Sequence, residues 1–533
     1  MKKSLLMTTT LVAAFSATNV CAEDWTISSK EIITGELISK DNVTVATGGD
    51  ITISGNNSGI ISNGNFTMED GSLTASSNGG SADTGVFVRG ENSSVTIKNG
   101  TINLTEARIA KGEEDTDTTG DVSISGGKIT LNNQAYIEMY DTNTGSVNLS
   151  GGELNINDNS GILLDGANDF TMTGGFLTAT SNGNSADTGV FVKGNGADVN
   201  IQGGDINLTD SRIYKGNDTA TTGDINISGG NITLNKNAYI EMRKENTGNV
   251  NMTGGKLVMN KNSGLLLNTN DDQGIDGNAI KLIVNGDDAT ITANGSNQIS
   301  GDIDFTKGTI TVANGASLTS GDIAMKSENA KIDLLGKLNT NVNGSGNLCF
   351  KNSAANVSGN VTGSNLTFDT DHSLSKAIGG TISNITALNV NKGTLTYDKD
   401  AGSIGNVSVA GGAGLDIGTN KLTATTVNFA DNSTLGLKIA SADNYGQINA
   451  NTINIGNDTT MKVTLDSGVV ANGETQSFDF LQGSVTGDFT NKIADNNRYD
   501  ISFEDGSFKI TGTASASDVV ADAGGSATNA AIA

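Results

Sequence analysis

Apolar residues alternate with polar ones in short bursts along most of this chain. In DINISGGNITLN, Asp224 to Asn235, Ile225 and Ile227 fall on one side of a glycine pair and Ile232 and Leu234 on the other. Alternation of period two marks a strand with one buried face. The segment that follows adds Ala238, Ile240 and Met242 to the apolar face and leaves Asn226, Thr233 and Glu241 on the opposite one. The pattern therefore predicts three strands per repeat. Val122, Ile124, Ile129, Leu131, Ala135, Ile137 and Met139 are a second copy with the same assignment.

The repeat has a period. Paired turn residues stand at Asp70-Gly71, Asn99-Gly100, Gly126-Gly127, Gly151-Gly152, Gly174-Gly175, Gly203-Gly204, Gly229-Gly230 and Gly254-Gly255. Their spacing of about 23 to 29 residues lies in the range of solenoids. A longer duplication overlies it: SADTGVFVRG at Ser81 to Gly90 returns as SADTGVFVKG at Ser185 to Gly194, and QAYIEM at Gln134 to Met139 returns as NAYIEM at Asn237 to Met242. A block of four rungs has been copied.

Two architectures accept alternating strands joined by glycine turns. An antiparallel sandwich needs hairpins and leaves a full repeat after three strands unexplained. The expectation is an all-β, right-handed parallel β-helix, a β-solenoid with three strands per coil, in which each strand pairs with its counterparts one winding away. About eighteen coils are expected, with charged residues kept out of the interior. Residues 23–270 read as regular coils. Residues 271–427 read as the same helix with irregular coils and longer turns, 428–512 as terminal coils, and 513–533 as an Ala/Gly/Ser linker.

Composition supports this. There are no prolines and 70 glycines, and aromatics make up only 4%. Uninterrupted strands, turns that need positive φ, and a narrow aliphatic interior account for all three. Met1 to Ala22 combines Lys2 and Lys3, a short apolar run and small residues at Val20-Cys21-Ala22, the layout of a secretory signal peptide. That segment holds two lysines and no acid, so its removal takes the formal charge from −26 to −28. A surface this acidic repels nucleic acid and anionic membranes. No apolar run in the mature chain is long enough for a membrane helix. Cys21 leaves with the signal, so Cys349 remains alone with no internal disulfide, read as a small buried residue.

The ending NFADNSTLGLKI…YGQINANTINIGNDTTMKVTL…RYDISFEDGSFKITG, Asn428 to Gly512, resembles the passenger domains of Gram-negative autotransporters, as do the Gly/Asn-rich repeats and the signal. The resemblance spans nearly the whole mature chain. It implies export to the cell surface or the extracellular space, an outer-membrane β-barrel translocator as partner, and an adhesin or scaffold acting on a glycan or host-cell receptor. The sequence departs from the family at Ala533, where barrel strands would begin, so the barrel is expected in a longer product or in a separate protein.

Little in the sequence points to chemistry. Asp271, Asp272 and Asp276, and Asp287 with Asp288, are adjacent acids in Asn/Gly turns, read as solvated rather than as a glycosidase pair. His372, the only histidine, has no nucleophile motif beside it. DTDTTG from Asp115 starts like a calcium loop but has Gly126 where a bidentate Glu is needed, and DTATTG from Asp218 loses an acid. No catalytic residue, metal or cofactor is expected; the alternatives are a polysaccharide-cleaving β-helix enzyme of the pectin lyase or polygalacturonase kind, and a fragment of a longer autotransporter. One constellation recurs: EARIAKG at Glu106 to Gly112 returns as DSRIYKG at Asp210 to Gly216, with Glu138 returning as Glu241. Alternation turns Arg108, Glu138, Arg212 and Glu241 outward. With Lys111 and Lys215 they are the candidate ligand-binding residues, set against a solvated ionic ladder left by duplication.

Overall fold

In the computed structural model, residues 23–513 are described, apart from 80–82, 114–115, 184–186, 218, 244, 270–279, 376, 399–402, 467, 472, 496–498 and 505. The signal segment, the terminal linker, Asp115, Asp218, Asp271, Asp272 and Asp276 lie outside the described residues. The chain is a parallel β-helix. Ile225 pairs in parallel with Val199 one winding before and Val250 one winding after. Ile232 does the same with Ile206 and Leu257, and Ile240 with Ile213 and Leu265. Each of the three strands read from the alternation thus belongs to its own wall, and each apolar set faces one continuous core. Ile225, Ile232, Leu234, Ala238, Ile240 and Met242 are all fully buried.

The third wall counts the windings. Fourteen strands, Leu37–Lys40 to Asn356–Val357, form one sheet, and a path of six more runs from Leu374–Ser375 to Asn491–Ala494. Among the described residues that makes twenty windings, which at the usual strand spacing form a column about 95 Å long. The first and second walls fuse into one 34-stranded sheet because single strands run through the corner between them, Lys421–Phe429 and Gln447–Ile455 late in the chain and Leu282–Ala293 and Ile303–Val312 where the regular windings end. Windings there are shorter than the regular ones, not longer: Ile303 pairs with Ile323, Ile323 with Val342 and Val342 with Val361.

The glycine pairs do two different jobs. At the first position a Cβ would press on backbone from the preceding winding: 2.2 Å from Gln202 O at Gly229, 2.4 Å from Ser228 O at Gly254. The second position has positive φ, +78° at Gly230 and +77° at Gly255, which disfavours any side chain. The corner before the first wall is held differently. There an Asp, Asn or Ser oxygen accepts the backbone N–H of its counterpart one winding on: Asp198 N to Asp169 Oδ1 at 2.7 Å, Asp224 N to Asp198 Oδ1 at 2.7 Å, Asn249 N to Asp224 Oδ1 at 2.7 Å. The same link joins Asn42 to Asn65 and Asn65 to Ser94 near the start.

The end of the chain departs from the expected coils. Thr475–Asp479, Tyr499–Glu504 and Ser507–Gly512 form a separate antiparallel three-stranded sheet. It packs through aromatic rings, with Phe480 stacked on Phe508 at 4.1 Å and Phe503 edge-on to Phe508 at 4.5 Å. Cys349 also departs from expectation. It sits half-buried at an outward position between the core residues Leu348 and Phe350. Burial, followed by the charge of Asp333, pushes its thiol pKa up.

Candidate functional site

The recurring constellation lies on the outer face of the third wall, in Gly85–Val88, Arg108–Lys111 and Tyr136–Met139, and again in Gly189–Val192, Arg212–Lys215 and Tyr239–Arg243. Register sets which side chains meet. Arg108 pairs with Gly85 before it and Tyr136 after it; Arg212 pairs with Gly189 and Tyr239. Glycine beside each arginine and another beside each tyrosine, Gly161 and Gly264, leave room on the face for long side chains to lie along it.

In the first copy the Arg108 guanidinium donates to Glu138 of the next winding, and in the second Arg212 Nη1 reaches Glu241 Oε2 at 2.5 Å. The side chains point outward as alternation requires, yet they are not solvated. Exposure is 13% and 10% for the first pair, and 17% and 7% for the second. Burial pushes the Glu138 carboxyl up and Arg108 holds it down. The Tyr136 hydroxyl donates to Asn159 O at 2.7 Å, and burial, with the charge of Asp187 behind it, raises its pKa. The second copy is more filled: Tyr214 replaces Ala110, lies 6.1 Å from Phe191, and carries Arg243 over its ring at 6.0 Å. Four windings, roughly 19 Å at the strand spacing, separate the copies.

Lys111 and Lys215 are not on this surface. Lys111 shares its column with Val88 and Met139, and Lys215 with Val192 and Met242, all core residues. Both lysines are 0% exposed. Lys215 Nζ donates to Gly194 O at 3.0 Å and Lys111 Nζ to Gly90 O at 3.4 Å, carbonyls at the end of the wall. Burial lowers both pKa values to about 8, with Asp198 and Asp169 partly opposing the shift at Lys215. Charge therefore does enter the interior, because a four-carbon stem carries the ammonium to the edge of the core.

Each guanidinium–carboxylate pair ties one winding to the next. Leaving Arg108 out would strand a buried charge, and alanine there tests folding before it tests attachment. Of the other acids, Asp287 and Asp288 stand exposed at a widened turn, and His372 is exposed. Among the described residues no group of three or more His, Cys, Asp or Glu is placed to hold a metal ion, and no helix is long and apolar enough to cross a membrane. The corner ladder of Asp169, Asp198 and Asp224 is not among the residues that alternation singles out, although an Asp or Asn directly before successive first strands, as in DVNI, DINI and NVNM, carries the signal. No family model matches the chain, and no curated protein matches it.

Proposed function

We propose that this chain is the displayed passenger of a Gram-negative autotransporter, working outside the cell as a non-catalytic adhesin or scaffold. The observation that carries the reading is the column of twenty windings. Its backbone ladders run from winding to winding along the whole column, and charged side chains such as Arg108 with Glu138 stitch neighbouring windings. Such a column presents repeated outward features at fixed intervals, which suits weak contacts made many at a time. A single mature cysteine fits a chain threaded through a β-barrel, since no internal disulfide has to pass the pore.

Export is tested by expressing the full gene product with its translocator and adding protease to intact cells. Removal of Met1–Ala22 and cleavage by the external protease are the expected results; a chain that keeps Met1–Ala22 and stays shielded overturns the proposal. Catalysis is tested by incubating the purified chain with pectins and host glycans. Binding without turnover is expected, whereas new reducing ends or unsaturated products would make it an enzyme.

A further inference from the structure

A second feature of the outer surface lies apart from the arginine–glutamate clamps. Over three windings the corner between the first and second walls opens into a cleft of about 550 Å³. Its floor is the backbone of Gly229-Gly230 and Gly254-Gly255, with the exposed hydroxyls of Ser228 and Thr253 along one side. In the third winding the glycine pair is replaced by a wider turn. The register between Leu282–Ala293 and Ile303–Val312 shifts there, and Asp287 and Asp288 stand up as an end wall. Asp287 is engaged from behind by Lys307 at 3.3 Å. Lys256 and Asp288 are exposed, and neither is in an ion pair among the described residues.

We propose that this cleft binds a linear, neutral oligosaccharide that continues along the corner to Phe176. The proposal rests on reading the chain as an adhesin and assigns that adhesin its ligand class. The cleft is walled by a donor ammonium, an acceptor carboxylate, hydroxyls and Asn231, whose amide is fixed by a 2.8 Å bond to Asp205. No apolar side chain lines it, so an apolar ligand has nothing to bury. A polyanion would meet Asp288 and a protein of strongly negative charge. A hydroxyl-rich neutral chain matches both the donors and the acceptors.

Phe176 supplies the other end. It is 56% exposed and lies in the column that runs Phe176, Asp205, Asn231, Lys256, one residue per winding. An exposed ring in a polar row is a stacking platform for the apolar face of a sugar. From Phe176 to the turn at Asp288 the row covers four windings, roughly 19 Å. The ligand must be several sugar units long to use both ends.

Calorimetry on the full chain tests this, with cellohexaose, mannohexaose and chitohexaose as neutral probes, their disaccharides as short ones, and polygalacturonate as the anionic comparison. A neutral hexasaccharide is expected to bind at least tenfold more tightly than its disaccharide and than polygalacturonate. Phe176→Ala, and Lys256→Ala with Asp288→Ala, are each expected to weaken it fivefold or more. All three side chains are exposed, so circular dichroism should not change. The proposal is overturned when no neutral hexasaccharide binds the folded chain, or when binding ignores these substitutions. Either result leaves the intact-cell protease experiment standing, and a chain that binds the sugar but is never displayed contradicts only the passenger reading.

Discussion

Replacing Lys111 and Lys215 by methionine is expected to stabilise the protein, the reverse of what loss of a charged, hydrogen-bonded side chain usually does. Methionine already occupies the same core column at Met139 and Met242, so the replacement fits the local register. Each ammonium is fully buried and donates to one carbonyl. Each titrates at about 8 in the folded chain, against 10.5 for an ordinary lysine. At 1.36 kcal/mol per pKa unit, this difference makes each buried ammonium cost about 3 kcal/mol at neutral pH. The sign follows from linkage. Between about pH 8 and 10.5 the unfolded chain holds protons that the folded chain has released, so stability rises with pH across that window, and below it the cost is present in full.

The measurement is the melting temperature of the double variant Lys111→Met, Lys215→Met beside the parent, at pH 7 and at pH 10.5. A cooperative unit of about 500 residues unfolds with an entropy on the order of 1 kcal/mol/K, so about 6 kcal/mol raises the melting temperature by about 6 °C. At pH 10.5 most of that advantage should vanish, because the parent's lysines are then neutral when folded. A variant that melts lower than the parent at pH 7, or whose advantage is the same at both pH values, refutes the account of these lysines as unneutralised buried charges.

Four further outcomes are expected. Arg108→Ala should destabilise by about 3 to 5 kcal/mol by stranding Glu138, while Arg108→Leu with Glu138→Leu recovers most of the loss in the same denaturant titration. Gly255→Ala should cost clearly more than Gly315→Ala: both have φ of +77°, but a Cβ at Gly255 meets Gly229 O at 2.6 Å whereas Gly315 faces open space. Thermal melts of the two variants separate contact from backbone strain. Asp198→Ala should lose about 1 kcal/mol by removing the acceptor for the Asp224 N–H, read from the urea midpoint. Cys349 should react slowly with a thiol reagent at pH 8 and rapidly once urea unfolds the chain, since burial holds its pKa above the usual range.

What could be read from the sequence and what could not divides along a physical line. Alternation reports which side of a strand faces the core, so it turns Ile225, Ile232 and Ile240 inward, and the glycine period reports the winding. Alternation is silent on which strand lies alongside. Thr475–Asp479 and Ser507–Gly512 carry the same period as the windings, yet they pair antiparallel in a sheet of their own. It is equally silent on what covers an outward residue, and so Arg108 and Glu138 could be placed outward but not known to be buried together. Lys111 is the more instructive case. Counted strictly from Arg108, the pattern turns Ile109 inward, Ala110 outward and Lys111 inward, and the structure follows that count. The general exclusion of charge from cores argued the other way and was the weaker rule, because it treats a side chain as a point. A lysine at the last position of a strand can place its methylenes among Val88 and Met139 and still reach the Gly90 carbonyl where the wall ends. Where strand register and residue type disagree in a solenoid, register is the better guide. A coil that turned one residue out of step would expose every apolar side chain in it, at about 1.5 to 3 kcal/mol for each large one, and the sum over a coil exceeds the about 3 kcal/mol of a single buried ammonium.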